Sequence, residues 1–210
     1  MVLKEKIKSK NLFLLIGSLL FLCVSSYTIY NYMQSYNSKT QEENQIDSYI
    51  NKDSTNDVET ADNLASDETN EHREVNYSFV IEIPEISLKK GIYGIIQEFN
   101  TVSKNIQLLN ESDMPDIENG NVILASHNGS SSISFFNKLD RLNTDSIIYI
   151  YQSGIKYEYR LNNSYEIEKN GTAIIKRDLN KSTLTLITCK RNSKDKQMVY
   201  IAYLINKTEY

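Results

Sequence analysis

The sequence predicts an all-β domain with short helices from Tyr77 onwards, preceded by an apolar helix and a polar linker. From Tyr77 on, six to eight short β-type runs follow one another at about ten-residue spacing. Little of that stretch has helical periodicity. The 15 tyrosines of the chain suit the half-buried faces of a sheet. Together these observations are typical of a β-barrel or a β-sandwich.

Composition narrows the class of protein further. A chain of 210 residues holds one ordinary domain and an appendage. With two cysteines, two prolines and seven glycines it is neither a disulfide-dense scaffold nor a collagen-like fibre. The net charge of −4 argues against a nucleic-acid partner, since general nucleic-acid binders are usually basic.

The N-terminal segment has the pattern of a membrane anchor. Residues 1–10 contain four lysines, and no charged residue occurs between Lys10 and Lys39. A helix of about 20 apolar residues is long enough to cross the hydrocarbon core of a bilayer. We therefore predict a cytoplasmic tail at 1–10 and a transmembrane anchor at 11–33, with the rest of the chain outside the cell. A cleaved signal peptide, or a lipoprotein signal ending at Cys23, is the alternative interpretation.

Residues 34–76 are predicted to form an acidic flexible linker. Positions 37–76 contain eleven acidic and three basic side chains, and apolar residues are isolated. Such a segment buries too little apolar surface to offset the entropy of ordering it. A short helix at residues 41–50 is the alternative prediction for part of this segment. The linker would hold a folded domain at 77–210 away from the membrane.

The domain at 77–210 is predicted from short apolar runs. Gln152-Ser153-Gly154 separates two of them and predicts a β-hairpin. Residues 101–109 space their apolar side chains like one face of a helix, and 133–139 are predicted as a helical turn. The predicted strands are Tyr77–Ile83, Gly91–Ile96, Asn121–Ser126, Ser146–Tyr151, Ile155–Leu161, Thr183–Thr188 and Met198–Ile205.

One cysteine and one histidine stand out in this domain. Cys189 follows a β-branched run, and His127 follows the apolar run at 121–126, so both lie where a predicted strand ends in a polar loop. An imidazole beside a thiol can stabilise the thiolate and later protonate a leaving group. The pair is therefore a candidate nucleophile and general acid-base. A buried, inert cysteine and a structural histidine are the alternative.

The residues around this pair resemble the sortases, which are membrane-anchored cysteine transpeptidases of Gram-positive bacteria. The run TLTLITC at 183–189 resembles their TLxTC signature, and LASHNG at 124–129 resembles their histidine motif. The resemblance covers residues 79–205. An N-terminal anchor and a spacer are also what this family has.

The resemblance implies an eight-stranded β-barrel fold and a mechanism. Cys189 would attack the Thr–Gly carbonyl of an LPxTG-like sorting signal near the C-terminus of a secreted protein, with His127 as general acid and base. The thioacyl intermediate would pass to an amine of a peptidoglycan precursor or of a pilin lysine. Thr188 would line the substrate groove. Neither a metal nor an organic cofactor takes part in that chemistry.

The sequence departs from the family pattern at one position. Sortases have an arginine at the start of the strand after the cysteine loop, and the matching residue here is Gln197. A glutamine amide can donate a hydrogen bond to an oxyanion but carries no charge. Arg191 and Lys196 lie close by in sequence and could contribute one. The short interval between His127 and Cys189 favours a compact sortase of class A, D or E type.

Two other functions stay open. The departure at Gln197 is compatible with a membrane-tethered binder of sorting signals that has little or no catalytic activity. An anchored cysteine peptidase of another type would hydrolyse its substrate rather than transfer it. An acidic cluster at 111–118 has the composition of a calcium loop but not the spacing of an EF-hand, which favours a solvated acidic loop.

Overall fold

A computed structural model describes residues 2–53 and 76–210, with side chains for residues 16–52 and 76–210. The chain divides into two units, Met1–Gln45 and Ile46–Tyr210. The first unit is the N-terminal part of a helix, α1, which runs from Val2 to Asp53. The second unit contains the last turns of α1 and all the strands.

The second unit is built on one eight-stranded sheet that curls into a nearly closed barrel. Neighbouring strands are antiparallel except β4 and β7, which are parallel. The order across the sheet is β2-β1-β5-β6-β8-β7-β4-β3. Short 3₁₀ helices occur at Pro84–Ile86 and Leu139–Arg141. The strands are β1 Tyr77–Ile83, β2 Leu88–Tyr93, β3 Gln107–Leu108, β4 Asn121–Ala125, β5 Ile147–Gln152, β6 Ile155–Glu168, β7 Thr183–Cys189 and β8 Lys196–Glu209.

Alternation along the strands places apolar side chains on both faces of the sheet. A large cluster fills the barrel and includes Phe79, Phe136 and Leu186. A small cluster lies on the other face of β4, β7 and β8, where its members are Ile123, Ile187, Val199 and Ile201. Ala173 and Ile175, from the segment between β6 and β7, pack against the small cluster. The outer face of these strands is therefore an apolar floor that the β6–β7 segment partly covers.

The hairpin predicted at Gln152-Ser153-Gly154 is confirmed. β5 pairs with β6 as far as Gln152 opposite Ile155, which leaves a two-residue loop. Ser153 and Gly154 have φ angles of 50° and 75°. Positive φ at both central residues is the geometry of the type I′ turn, whose twist matches that of the flanking strands.

The helical prediction for residues 101–109 is wrong, because two buried asparagines hold this segment in turns. The Asn100 amide donates to Leu108 O at 2.9 Å and accepts from Leu108 N at 2.7 Å. Asn105 donates to the carbonyl of Gly91, which belongs to β2, at 2.8 Å. The bond from Asn105 links β2 to the segment that leads into β3. It helps to close the barrel where the sheet has its two free edges.

The predicted linker differs from the structure over residues 34–53, which continue α1. This stretch contains neither proline nor glycine, so no residue in it interrupts a helix. Ile46 is buried against Tyr77 and Val80, and Tyr49 and Ile50 pack beside it. The i, i+3, i+4 spacing puts these three side chains on one helical face. Linker residues 54–75 lie outside the described residues.

The predicted transmembrane anchor at 11–33 falls within α1. Among the residues that the structure describes, no helix has the length and apolar character needed to cross a membrane.

Candidate active site

The parallel pairing of β4 and β7 brings the predicted nucleophile and base to one edge of the sheet. Ala125 lies opposite Ile187 in this ladder. His127 follows Ala125 by two residues, and Cys189 follows Ile187 by two residues. The ladder continues beyond the strand end, since Ser126 N donates to Ile187 O at 3.2 Å. The backbone positions of His127 and Cys189 are therefore set by the same pair of strands.

A side-chain bond joins the two strand ends, and a backbone bond holds His127. The Asn128 amide donates to the carbonyl of Cys189 at 2.9 Å. The backbone carbonyl of His127 accepts from Phe136 N at 3.2 Å, while the imidazole itself is exposed. The Cys189 thiol is half-buried. These bonds hold the backbone of both residues where β4 and β7 end, with the imidazole exposed to solvent.

Cys189 lines a cavity of about 880 Å³ at this edge. The other lining residues are polar and belong to the loops that follow β4 and β7: residues 128–130, Asn137 and residues 190–194. His127 directly precedes this lining in the chain. Cys189 is thus the cysteine that borders this cavity.

Thr188 does not line this cavity, contrary to the expectation from the family resemblance. Its side chain is buried, and its hydroxyl donates to Ser126 O at 2.8 Å. Alternation along β7 turns Thr188 to the face opposite Cys189. Thr188 therefore fastens β7 to the strand end that carries His127.

Gln197 and Arg191 occupy different positions relative to the thiol. Gln197 is the direct partner of Cys189 in the β7–β8 ladder, so both side chains stand on one face of the sheet. Arg191 donates to Asn137 O at 2.6 Å and lies 3.6 Å from the Asp140 carboxylate. Its guanidinium is thus bound to the 137–140 segment, although the residue borders the cavity.

A charged residue that the sequence analysis missed contacts the thiol. The Lys169 ammonium lies 3.8 Å from Cys189 Sγ. Lys169 directly follows β6, and its backbone N–H donates to Asp195 O at 2.7 Å. The signal that would have found it is the pairing of β6 with β8, which brings residue 169 near the start of β8. Sequence spacing alone did not reveal that pairing, because the predicted β6 stopped at Leu161.

Two lysines near the cysteine in the chain form ion pairs with β6. Glu166 on β6 accepts hydrogen bonds from both Lys190 and Lys196. These bonds hold the pKa of Glu166 below its usual range, and the same contact raises the pKa of Lys196. The Ser193 hydroxyl, bonded to Asp195 at 2.7 Å, likewise lowers the pKa of that carboxyl. Together these contacts fix the loop between β7 and β8 against β6.

The acidic residues at 111–118 include one with a clear structural role. Asp113 Oδ2 accepts from Asn121 N at 2.8 Å, which anchors the start of β4. Within residues 16–52 and 76–210, no three His, Cys, Asp or Glu side chains are arranged to hold a metal ion.

The structure thus combines an eight-stranded, nearly closed barrel with a cysteine at the end of one parallel strand and a histidine just beyond the end of the other. The family model for the sortase domain matches residues 81–205 of the chain. The chain belongs to the sortase family.

Individual relatives agree with this assignment. The chain is 31% identical over 117 residues to Sortase A of Bacillus anthracis, a match that covers 54% of each protein. It thus spans about half the length of the curated relative that it matches.

Among solved structures, the chain is similar to the Sortase D5 transpeptidase of Clostridium perfringens, with a TM-score of 0.52 and 26% identity over 62% of this chain and 80% of that one. It has the fold of Sortase C-3 from Streptococcus pneumoniae, with a TM-score of 0.57 and 17% identity over 81% and 84%. The fold of Sortase A from Corynebacterium diphtheriae is also similar, with a TM-score of 0.55 and 22% identity over 62% and 61%.

Proposed function

We propose that this protein is a cysteine transpeptidase that cleaves a sorting signal and transfers the released acyl group to an amine. The observation that carries the proposal is the placement of His127 and Cys189 where β4 and β7 end, with Cys189 lining a cavity. Membership of the sortase family supports the same reaction.

The reaction divides into two acyl transfers. The Cys189 thiolate attacks the peptide carbonyl, the C–S bond forms and the carbonyl electron pair moves to oxygen. The tetrahedral intermediate collapses, the C–N bond breaks and the His127 imidazolium protonates the departing amine. The neutral imidazole then accepts a proton from the incoming amine, whose nitrogen attacks the thioester and releases Cys189 as the thiolate.

The proposed donor substrate is a secreted protein with an LPxTG-like signal near its C-terminus, cleaved between Thr and Gly. The proposed acceptor is an amine of a peptidoglycan precursor or of a pilin lysine. The short interval between His127 and Cys189 supports a compact class A, D or E enzyme.

The proposed location is the cell membrane, with the catalytic domain outside and residues 1–10 in the cytoplasm. It rests on the uncharged stretch between Lys10 and Lys39 and on the lysines before it. Membrane fractionation of cells expressing the full chain tests the location. Recovery of the chain in the soluble fraction, or release of a shortened chain into the medium, would contradict it.

Peptide transfer by the full chain tests the enzymatic proposal. We expect the protein, with an LPxTG-type peptide and an oligoglycine or lysine acceptor, to form a Cys189 thioacyl adduct and an acceptor-dependent product. Cys189→Ala and His127→Ala should each abolish the product, while Ser132→Ala, a change at an exposed position of the same loop that does not line the cavity, should retain it. Mass spectrometry measures both species.

Other outcomes decide between the alternatives. Peptide binding without an adduct would identify a tethered binder of sorting signals. An adduct that turns over at the same rate with and without acceptor would identify a hydrolase.

A further inference from the structure

We propose that Lys169 provides the positive charge beside the reacting sulfur, and is a catalytic residue of the transfer proposed above. The inference rests on that proposed function for its chemical step, but its geometric basis is independent of it. The basis is the 3.8 Å separation between Lys169 Nζ and Cys189 Sγ. A sulfur accepts hydrogen bonds at longer distances than an oxygen, and an ammonium has no acceptor role, so Lys169 is the donor.

The backbone of Lys169 is fixed in this position. Ile167 pairs with Gln197 across β6 and β8, and Gln197 pairs with Cys189 across β8 and β7. These three residues therefore form one row on one face of the sheet. Lys169 lies two residues beyond Ile167, and the bond from its N–H to Asp195 O extends the ladder to that point. Alternation keeps residues 167 and 169 on the same face. Its long side chain then reaches diagonally over β8 to the sulfur.

The direct neighbour of the cysteine is uncharged, and three cations near it are paired with carboxylates. Gln197 stands beside Cys189 and has no charge. Arg191 is paired with Asp140, and Lys190 and Lys196 both bind Glu166. Among residues 16–52 and 76–210, no carboxylate forms an ion pair with Lys169, whose ammonium is thus available to the thiolate.

The positive charge of Lys169 acts both before the acylation step and during it. In the free enzyme the ammonium donates a hydrogen bond to the thiolate and stabilises it. As the C–S bond forms, negative charge moves from sulfur to the carbonyl oxygen, two bonds away. A lysine ammonium on a flexible stem can follow this displacement, and a cation at that place lowers the barrier.

The side chain of Lys169 is exposed, so its removal should leave the fold intact. Lys169→Met keeps most of the aliphatic stem and removes the charge. Lys169→Arg keeps the charge. Lys207→Ala is the matched control, since it removes one exposed lysine from the far part of β8.

The first measurement is alkylation of Cys189 in the full chain, which needs no sorting signal. Iodoacetate carries a negative charge and iodoacetamide is neutral. We expect Lys169→Met to slow iodoacetate about tenfold, an effect of the size that one nearby charge has at a solvated site. The loss with iodoacetamide should be smaller. Lys207→Ala should react like the parent protein with both reagents.

The second measurement is acceptor-dependent transfer. We expect kcat/KM to fall about 100-fold in Lys169→Met, the usual effect of removing one donor from a developing oxyanion. Lys169→Arg should retain most of the activity. Adding Gln197→Arg to Lys169→Met should restore part of it, because residue 197 stands directly beside the cysteine.

The two proposals fail in distinguishable ways. If Lys169→Met alkylates and transfers like the parent, or if Lys169→Arg loses as much as Lys169→Met, the charge role of Lys169 is overturned. If the charge-selective effect on alkylation is present but the parent transfers no peptide to any acceptor, the proposed function fails and the contact between Lys169 and the thiolate stands.

Discussion

Individual residues near Cys189 have roles that their sequence positions alone do not reveal. Thr188 and Cys189 are adjacent in the chain but point to opposite faces of β7. One is buried and holds the strand ends together, and the other borders the cavity. The matching alternation on β6 and β8 puts Gln197 and Lys169 on the cysteine side. A motif gives residue types in order, whereas the strands decide which of them meet.

The first prediction concerns the Thr188 hydroxyl. Thr188→Val removes its bond to Ser126 O, which leaves a buried carbonyl unpaired and should cost about 1–2 kcal/mol of unfolding free energy. Because the same bond holds the end of β4 against β7, alkylation of Cys189 should also change.

Thr185→Val is the control for that prediction. The Thr185 hydroxyl is equally buried, but it donates to Asn121 Oδ1 at 2.8 Å, near the start of the two strands. It should lose similar stability with unaltered Cys189 reactivity. Equal changes in reactivity for both variants would rule out a local role for Thr188.

At the scale of elements, the sequence predicts strands well where one local pattern decides them. β1 and β7 match the predicted runs to within one residue, and the two-residue turn after β5 follows from its Ser-Gly pair. Prediction fails where a distant partner decides. Asn100 and Asn105 override the helical spacing of residues 101–109 through bonds to Leu108 and Gly91. Ile46 is an isolated apolar residue in the sequence, and its partners lie in β1.

The same limit explains what the sequence shows of the site. Cys189 and His127 each end a recognisable apolar strand, so both are visible as candidates. Lys169 lies in a polar stretch with no motif, and its relation to Cys189 depends on β6 pairing with β8 far beyond the predicted end of β6. A contact across three strands leaves no spacing pattern in the sequence.

The second prediction concerns the loop between β7 and β8. Glu166→Gln removes the charge that holds Lys190 and Lys196, so the loop should be cut faster by trypsin at neutral pH. Glu158→Gln, a change on the same strand, is the control and should be cut like the parent. Equal cleavage rates for all three proteins would show that these ion pairs do not hold the loop.

The lowered pKa of Glu166 gives this contact a pH dependence. A carboxyl whose pKa is depressed in the folded state contributes stability that is complete above its ordinary pKa. That contribution is lost as the pH falls through the lowered pKa. Amide exchange of residues 190–195, followed by NMR, should therefore show falling protection over that acidic interval, and Glu166→Gln should lack this step.

At the scale of the whole molecule, the folded domain begins before its first strand. Ile46, near the end of α1, is buried against Tyr77 and Val80, and the Tyr49 hydroxyl donates to Ser78 O at 3.2 Å. Lys89 and Asp47 form an ion pair at 2.9 Å beside them. The last turns of the helix are therefore part of the domain rather than of a spacer.

The third prediction follows from this contact. Ile46→Ala should lower the unfolding free energy of the barrel by about 2 kcal/mol, because it leaves a cavity where the buried side chain was. Near-UV circular dichroism should report it, since Tyr49, Tyr77 and Tyr93 form an edge-to-face cluster there. Ile29→Ala, at an exposed position of the same helix, should have little effect. Equal unfolding curves for both variants would show that the helix end does not stabilise the barrel.

Because β7 is paired with β4, the position of Cys189 depends on whether an insertion in β7 has an odd or an even number of residues. An extra pair of residues within β7 would move Cys189 along the sheet but leave it on the same face. A single extra residue would turn the thiol into the barrel interior and bring Thr188 to the face that borders the cavity. We therefore expect homologous chains to vary freely in the length of their loops. Within this strand, we expect their lengths to differ only by even numbers of residues. Transfer of the motif to another sheet therefore requires the same strand register and face as well as the same residues.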